Sequence, residues 1–465
     1  MSRVGRATQE FVGWIDTRTG VARVGRRALR KVFPDHWSFL LGEIALFAFV
    51  ILLATGTFLT FFYVPSSAEV TYQGPYEPLH GQGVSAAFDS VLRLSFEVRA
   101  GLLMRQIHHW SALVFVGVIV LHLARVFFTG AFRRPRELNW LIGFTLLILA
   151  IGEGFTGYSL PDDLLSGTGA RIAYSAVLSI PFLGPYLASL AFGGEFPTSA
   201  LISRFFVIHV MLLPGIFIGG ILLHIALLVI HKHTQYPGVL EREENVVGRN
   251  FWPGQAFAST GLFFLTAAAV ALLGGFFQIN PIWTYGPFDA AVVSSPAQPD
   301  WYVGWLDGAL RVFPPFEPTI LGVTIPSPFI PGIVIPGVLL TVVALWPFVE
   351  ARFTHDRAEH HLLDPLWAHP GRTATGLAIL AIFGVLTLAG GNDVLAFYFG
   401  TDLESLTRVF RLLVLIVPVV VWILAYRISV GLRDSRRDLP LGTDRRPRGG
   451  IGLRRRPDGT FEELE

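Results

Sequence analysis

Apolar residues along this chain collect into eight stretches, about 39–63, 108–129, 140–158, 205–230, 255–277, 329–349, 374–390 and 409–428. Each is long enough, or nearly so, for a helix to cross the ~30 Å hydrocarbon layer of a bilayer. The pattern therefore predicts an all-α polytopic membrane protein with eight transmembrane helices. Residues 170–193 are also apolar, but Pro181, Gly184 and Pro185 interrupt them. They predict short helices lying at the membrane surface. The polar, charged segment 232–253 separates the first four spans from the last four. The implied division is a basic N-terminal segment (1–35), an N-terminal domain of four spans (36–235), a C-terminal domain of four spans (236–430) and a tail (431–465).

Charge gives the pattern a direction. Eight Lys/Arg fall in the first 31 residues, four arginines (Arg125, Arg133, Arg134, Arg136) flank the loop after the second span, and the tail from Arg427 to Arg456 is arginine-rich. The connection after the third span holds only Arg171 and Arg204, and that after the fifth only Arg311. Cytoplasmic loops carry the Lys/Arg excess, so both termini are expected in the cytoplasm. The basic N-terminus is not followed at once by a short apolar core and cleavage site, and it reads as an anchor rather than a signal peptide. The Arg/Gly/Pro-rich tail after about 432 reads as mobile.

Composition agrees. Hydrophobic residues make up 52% and charged residues 15%, where a soluble domain carries roughly a quarter charged. The bilayer is the expected surrounding, and no nucleic-acid partner is expected. Cysteine is absent. That excludes thiolate iron–sulfur ligation, covalent c-type haem attachment and disulfides in this chain.

Four histidines form two pairs, His108/His122 and His209/His224, spaced by fourteen and fifteen residues within the second and fourth spans. Fourteen helical residues turn through ~1400°, about 40° short of whole turns, and rise ~21 Å. Each helix then offers two imidazoles on nearly one face, one in each half of the bilayer. On antiparallel helices His108 matches His209 in depth near the outer face, and His122 matches His224 near the inner face. Two such pairs suit two haems, each iron held by one histidine from each helix. His109 is thirteen residues from His122, which turns it to the opposite face, so it reads as a packing or hydrogen-bonding residue at the loop–helix junction. The fifteen-residue spacing overshoots by about 60°, and a kink at Pro214 is expected to absorb part of the error.

Glycine repeats the period. Gly42 and Gly56 in the first span are fourteen apart, as are Gly143 and Gly157 in the third. Flat macrocycles lying against backbone would need glycine there. Arg105 and Arg125 stand three residues outside the histidines of the second span, where they could pair with haem propionates or anchor at the interface. Glu153, one turn from Gly157, is an intramembrane carboxylate and so a functional candidate by default. It suits a proton path or a propionate-side bond, or a protonated pairing with a neighbouring helix.

These residues resemble a known family. Arg105-Gln106-Ile107-His108, His122-Leu123-Ala124-Arg125, the glycine pairs and Gly157-Tyr158-Ser159-Leu160-Pro161 resemble the cytochrome b subunit of bc-type quinol:cytochrome c reductases. Pro299-Asp300-Trp301-Tyr302 resembles that family's Pro-Glu-Trp-Tyr motif at the outer quinol site. The resemblance covers about residues 36–430. Ile107 to Trp110, Glu153 to Gly169 and His233 to Pro237 resemble the actinobacterial branch, whose chain is usually longer at its C-terminus.

The resemblance implies two haem b groups, a low-potential one on His108 and His209 and a high-potential one on His122 and His224. It implies quinol oxidation, of menaquinol in that branch, with one electron passing to a Rieske iron–sulfur partner and one across both haems to an inner quinone. It further implies a c-haem cytochrome subunit, a homodimeric complex and coupled proton translocation, and is compatible with an attached haem–copper oxidase supercomplex. Asp300 would accept a proton, and Asp307, seven residues on, would be a second carrier. Pro299, Trp301, Tyr302 and Tyr158 would line the outer site. At the inner site the family's polar position falls on Val229, so His231 is the better candidate, with Arg249 and Gln255 the nearest polar residues in 247–257.

Two other readings fit parts of the pattern. A membrane-anchor di-haem cytochrome b serving another dehydrogenase would not need the long loop that carries Asp300. A proton-coupled transporter using the histidines and Glu153 as a relay would bind no haem.

Overall fold

Hydropathy and helix coincide over most of the chain. In the computed structural model, the described residues are 3–20, 22, 25, 29–292, 298–437, 452–455 and 461–464. They include eight helices long and apolar enough to cross a membrane. In chain order the main helices are α1 (Arg3–Thr19), α2 (Trp37–Thr60), α3 (Ala86–Phe96), α4 (Gly101–Phe128), α5 (Glu137–Tyr158), α6 (Leu164–Leu178), α7 (Gly184–Phe192), α8 (Leu201–Ile230), α9 (Phe251–Phe276), α10 (Trp301–Val312), α11 (Ile330–Thr354), α12 (Pro370–Gly390), α13 (Asn392–Phe399) and α14 (Leu403–Ser435). The spans are α2, α4, α5, α8, α9, α11, α12 and α14. Of the tail, only 431–437 and two short strands are described, so its expected mobility lies outside the described residues.

Helix α14 extends beyond its expected bounds at both ends, and α4 at its start. Helix α4 begins at Gly101, behind Ala100 in the left-handed region (φ 62°). Arg105, His108 and His109 are thus already helical, and His109 is not at a loop–helix junction. The interrupted stretch 170–193 becomes the end of α6 and all of α7, separated at Pro181. The sequence reading missed α3 and a small hairpin, Glu69–Thr71 against Gly83–Ser85. Both are too short to register as spans.

Helices α2, α4, α5 and α8 form one bundle. Midway along it three rings meet: Phe49–Phe115 at 5.8 Å, Phe49–Phe217 at 5.5 Å and Phe115–Phe217 at 5.8 Å between centroids. Phe115 is seven residues from both His108 and His122, and Phe49 is seven from both Gly42 and Gly56. The aromatic layer therefore separates two levels of the bundle. The second half packs through α10, α12 and α14.

Polar clamps join the halves at the arginine-rich end. Arg136 donates to the carbonyls of His231 (2.9 Å) and His360 (2.6 Å). Residue 235 in the polar linker pairs backbone to backbone with the 361–363 segment, Gln235 N–H to His361 O and Leu363 N–H to Gln235 O, each at 2.9 Å. The Arg372 side chain, only 1% exposed, holds Glu350 and Asp364, and Asp364 also meets Arg133 at 3.0 Å. Burial would raise the Asp364 pKa, but the His369 hydrogen bond, Arg133 and Arg372 outweigh it and bring it to about 2. A carboxylate depressed in this way adds stability above its unfolded value of ~4 and loses it as pH falls toward the folded value. Arg372→Met leaves the part-buried Glu350 without its ion-pair partner and Asp364 with only Arg133 and His369. It is expected to destabilise the fold by about 3–5 kcal/mol, read as a lower thermal midpoint in detergent. An unchanged midpoint would show the cluster to be energetically neutral.

Candidate functional site

The four histidines meet in the two predicted pairs. His108 and His209 face each other with ring centroids 6.2 Å apart and planes at 75°; His122 and His224 do so at 6.4 Å and 72°. Two imidazole nitrogens each about 2 Å from one metal ion put their ring centroids roughly 6 Å apart. Both pairs fit a single bridging metal, and the repeated geometry argues against incidental ring packing.

Hydrogen bonds assign which nitrogen faces the partner. Thr55 Oγ1 donates to Ile51 O at 2.7 Å and so accepts from His108 Nδ1 at 2.9 Å. His209 Nδ1 donates to Glu153 O at 3.0 Å, with the Glu153 carboxylate 3.2 Å away. In each case Nε2 is left unprotonated toward the opposite ring, as a metal-binding imidazole requires. The Glu153 carboxylate thus pairs with a residue of a neighbouring helix, one of the placements expected for it.

The glycines lie against the imidazoles. A Cβ at Gly42 would lie 3.3 Å from His122 Cε1, at Gly56 3.1 Å from His108 Cε1, and at Gly143 3.3 Å from His224 Cε1; at Gly157 it would collide with His209. Each glycine backs one histidine, α2 serving α4 and α5 serving α8.

The fifteen-residue spacing is also resolved differently. Residues Ile208–Leu212 form a π turn containing His209. A π turn takes up one extra residue within an α-helix, so fifteen residues behave as fourteen. Pro214, just beyond, has no N–H to close the regular α hydrogen bond there. It therefore suits the end of a π turn.

The arginines keep buried donors free. Arg105 gives Nη2 to Asn280 O at 2.6 Å, but its Nη1 has no partner among the described residues. Arg125 lies over Phe39 at 4.2 Å, with Nε and Nη2 unpartnered. A guanidinium with spare buried donors at each histidine level fits an anionic, propionate-bearing group such as haem.

A second constellation stands on the His108 side. Asp300 occupies the N-cap of α10 yet makes no side-chain cap bond. Its carboxylate instead accepts from His109 Nε2 at 3.0 and 3.1 Å and from the Tyr302 hydroxyl at 3.2 Å. Burial, and then Asp300 itself, raise the Tyr302 pKa well above its ordinary value, so the phenol keeps its proton to donate. Tyr302 lies over Gly154, where a Cβ would strike its ring, and Trp301 lies beside Gly117. Tyr158 lies within electrostatic reach of Asp163 and Asp300. Pro299 precedes the cap and fixes no contact of its own among those described. His109 was missed because its partner is 191 residues away; its position opposite the haem-facing side was the available signal.

The remaining candidates are placed elsewhere. Asp307 pairs with Arg311 at 2.7 Å, which also holds Asp393 at 2.9 Å, and it makes no contact with Asp300. His231 caps the end of α8, with a buried, unpartnered Nδ1. Arg249 forms an exposed pair with Asp35. Gln255 binds Glu43, a carboxylate the sequence reading passed over.

Fold and site together define a polytopic membrane protein whose first four spans carry two stacked, metal-ready imidazole pairs. The comparisons give the class its family. Residues 113–287 match the model for cytochrome b(N-terminal)/b6/petB. The chain is 46% identical to the cytochrome bc1 complex cytochrome b subunit of Streptomyces coelicolor, over 98% of this chain and 83% of that one. It is 48% identical to the subunit of the same name from Mycobacterium tuberculosis, over 97% and 81%. A solved hyperthermophilic respiratory Complex III chain shares the fold, with a TM-score of 0.63 at 22% identity, covering 90% of this chain and all of that one. The chain belongs to the cytochrome b subunits of the cytochrome bc1 complex, in the group found in actinobacteria. It is thus a haem b-binding subunit of a quinol–cytochrome c oxidoreductase.

Proposed function

We propose that this subunit oxidises quinol, specifically menaquinol, at an outer site built around Asp300, and returns electrons to quinone on the inner, cytoplasmic side. One observation carries the reading. A carboxylate placed to cap a helix is turned instead toward His109 and Tyr302, one residue along α4 from His108. Asp is one methylene shorter than Glu, and His109 Nε2–H holds it where a proton acceptor is needed. Pro299, Trp301 and Tyr158 would line the pocket, and Asp307 would be a second proton carrier, reached from Asp300 through water and not by direct contact.

His108 with His209, and His122 with His224, would hold two haem b groups, with Arg105 and Arg125 on their propionates. When bound, these supply a one-electron relay between the two faces, the outer group at low potential and the inner at high potential. The chain's own part is to orient imidazoles, bind anions and accept protons that leave outward. A Rieske iron–sulfur subunit takes the other electron and passes it to a c-type cytochrome subunit, within a dimeric complex that translocates protons. Both termini face the cytoplasm of the bacterial plasma membrane. The 36–235 and 236–430 halves act as separate domains, one for the relay and one carrying the outer quinol loop.

The test is a quinol:cytochrome c assay on the purified complex with and without an outer-site inhibitor, alongside a redox titration. Inhibitor-sensitive turnover and two b-type components of distinct potential are expected. A single component, or no reduced b-type α-band, would exclude the stacked arrangement.

A further inference from the structure

Glu43 stands in the second turn of α2, within a membrane span and next to Gly42, which backs His122. Gln255 Nε2 donates to its Oε1 at 2.7 Å and Ser259 Oγ to its Oε2 at 2.7 Å, both from α9. Gln255 and Ser259 are themselves 3.2 Å apart. Neither partner is charged, and no described Lys, Arg or His pairs with Glu43. A helix-to-helix staple needs only neutral groups; a carboxylate in a bilayer is costly and marks function.

The surroundings narrow the ligand. One turn to either side of Glu43 on α2 lie Phe39 and Phe47, and one turn along α9 from Ser259 lies Phe263. Phe47 and Phe263 meet edge to face at 5.6 Å and 82°. The Arg125 guanidinium lies over Phe39. A polar rung is thus set between aromatic rungs. A quinone headgroup has that shape: a flat ring that packs on aromatic faces, with carbonyl oxygens that accept hydrogen bonds and take up protons on reduction.

We propose that Glu43, with Gln255 and Ser259, forms the proton-delivering end of an inner quinone-headgroup site; this rests on the inner quinone reduction proposed above. The quinone takes two electrons, drawn one at a time from quinol oxidised at the outer site, and two protons. The Glu43 O–H bond breaks as an O–H bond forms on one quinone oxygen. Gln255 and Ser259 hold the resulting carboxylate until cytoplasmic water reprotonates it, and the same water supplies the proton for the second oxygen.

The experiment uses the whole complex carrying E43Q, S259A or no change. Quinol is added with cytochrome c, and the b-type absorbance is followed as it rises and decays. E43Q is expected to keep both b-type haems while slowing reoxidation of the b signal at least tenfold; S259A, which removes one donor, slows it less. A slowing by E43Q of under tenfold overturns the proposal. So does loss of either b-type haem on E43Q, which would make Glu43 a structural support. If the unaltered complex shows no quinol-driven b signal, the inner-reduction reading itself fails, and it fails before the role of Glu43 is reached.

Discussion

Replacing His209 by alanine is expected to leave one b-type haem per chain in place of two. The imidazole it removes faces His108 across 6.2 Å, and no other described histidine can reach that level. His109 is adjacent in sequence, but its Nε2 is bound to Asp300. Loss should be confined to the outer level, because Phe49, Phe115 and Phe217 pack as a continuous layer between the two pairs. The haem-to-protein ratio from a pyridine haemochrome assay should halve, and His109→Leu should leave it unchanged. Two haems retained after His209→Ala would refute the ligand assignment.

Asp300→Asn is expected to slow quinol oxidation on the order of 10²–10⁴-fold, the usual contribution of a positioned general base. Asparagine keeps the size and can still meet the Tyr302 hydroxyl, but its amide cannot take up the quinol's proton. Haem content should remain normal, so the spectrum separates a lost base from a damaged fold. Steady-state reduction of cytochrome c is the measurement. Turnover within a few-fold of the parent would remove Asp300 from the role of acceptor and leave it as a partner of His109.

Much of this architecture is legible in the sequence because membrane spans and helical periods are local properties. The histidine spacing identified the four facing rings, and the fourteen-residue glycine repeat pointed to the helices that back them. What each glycine accommodates was not legible, because a period gives a face and not the neighbour that fills it. The π turn at Ile208–Leu212 was hidden for a related reason: arithmetic on an ideal helix registers an extra residue as an angular error. His109 and Glu43 escaped because their partners come from α10 and α9, far along the chain. Glu153 was legible as a buried acid, but its contact with His209 depends on how α5 and α8 pack.

The two histidine levels are close to copies of one another. Each has one ring from α4 and one from α8, a backing glycine on α2 and another on α5, and a lone arginine beyond. By ligand identity the two levels are degenerate. The degeneracy is broken one atom further out, where Thr55 and the Glu153 carboxylate stand behind the outer rings and no carboxylate pairs with either inner ring among the described residues. A hydrogen-bond acceptor behind an imidazole fixes its tautomer and raises its basicity toward a metal. What distinguishes the two levels therefore lies in the residues that touch the imidazoles, so either level can be altered independently without changing a single histidine.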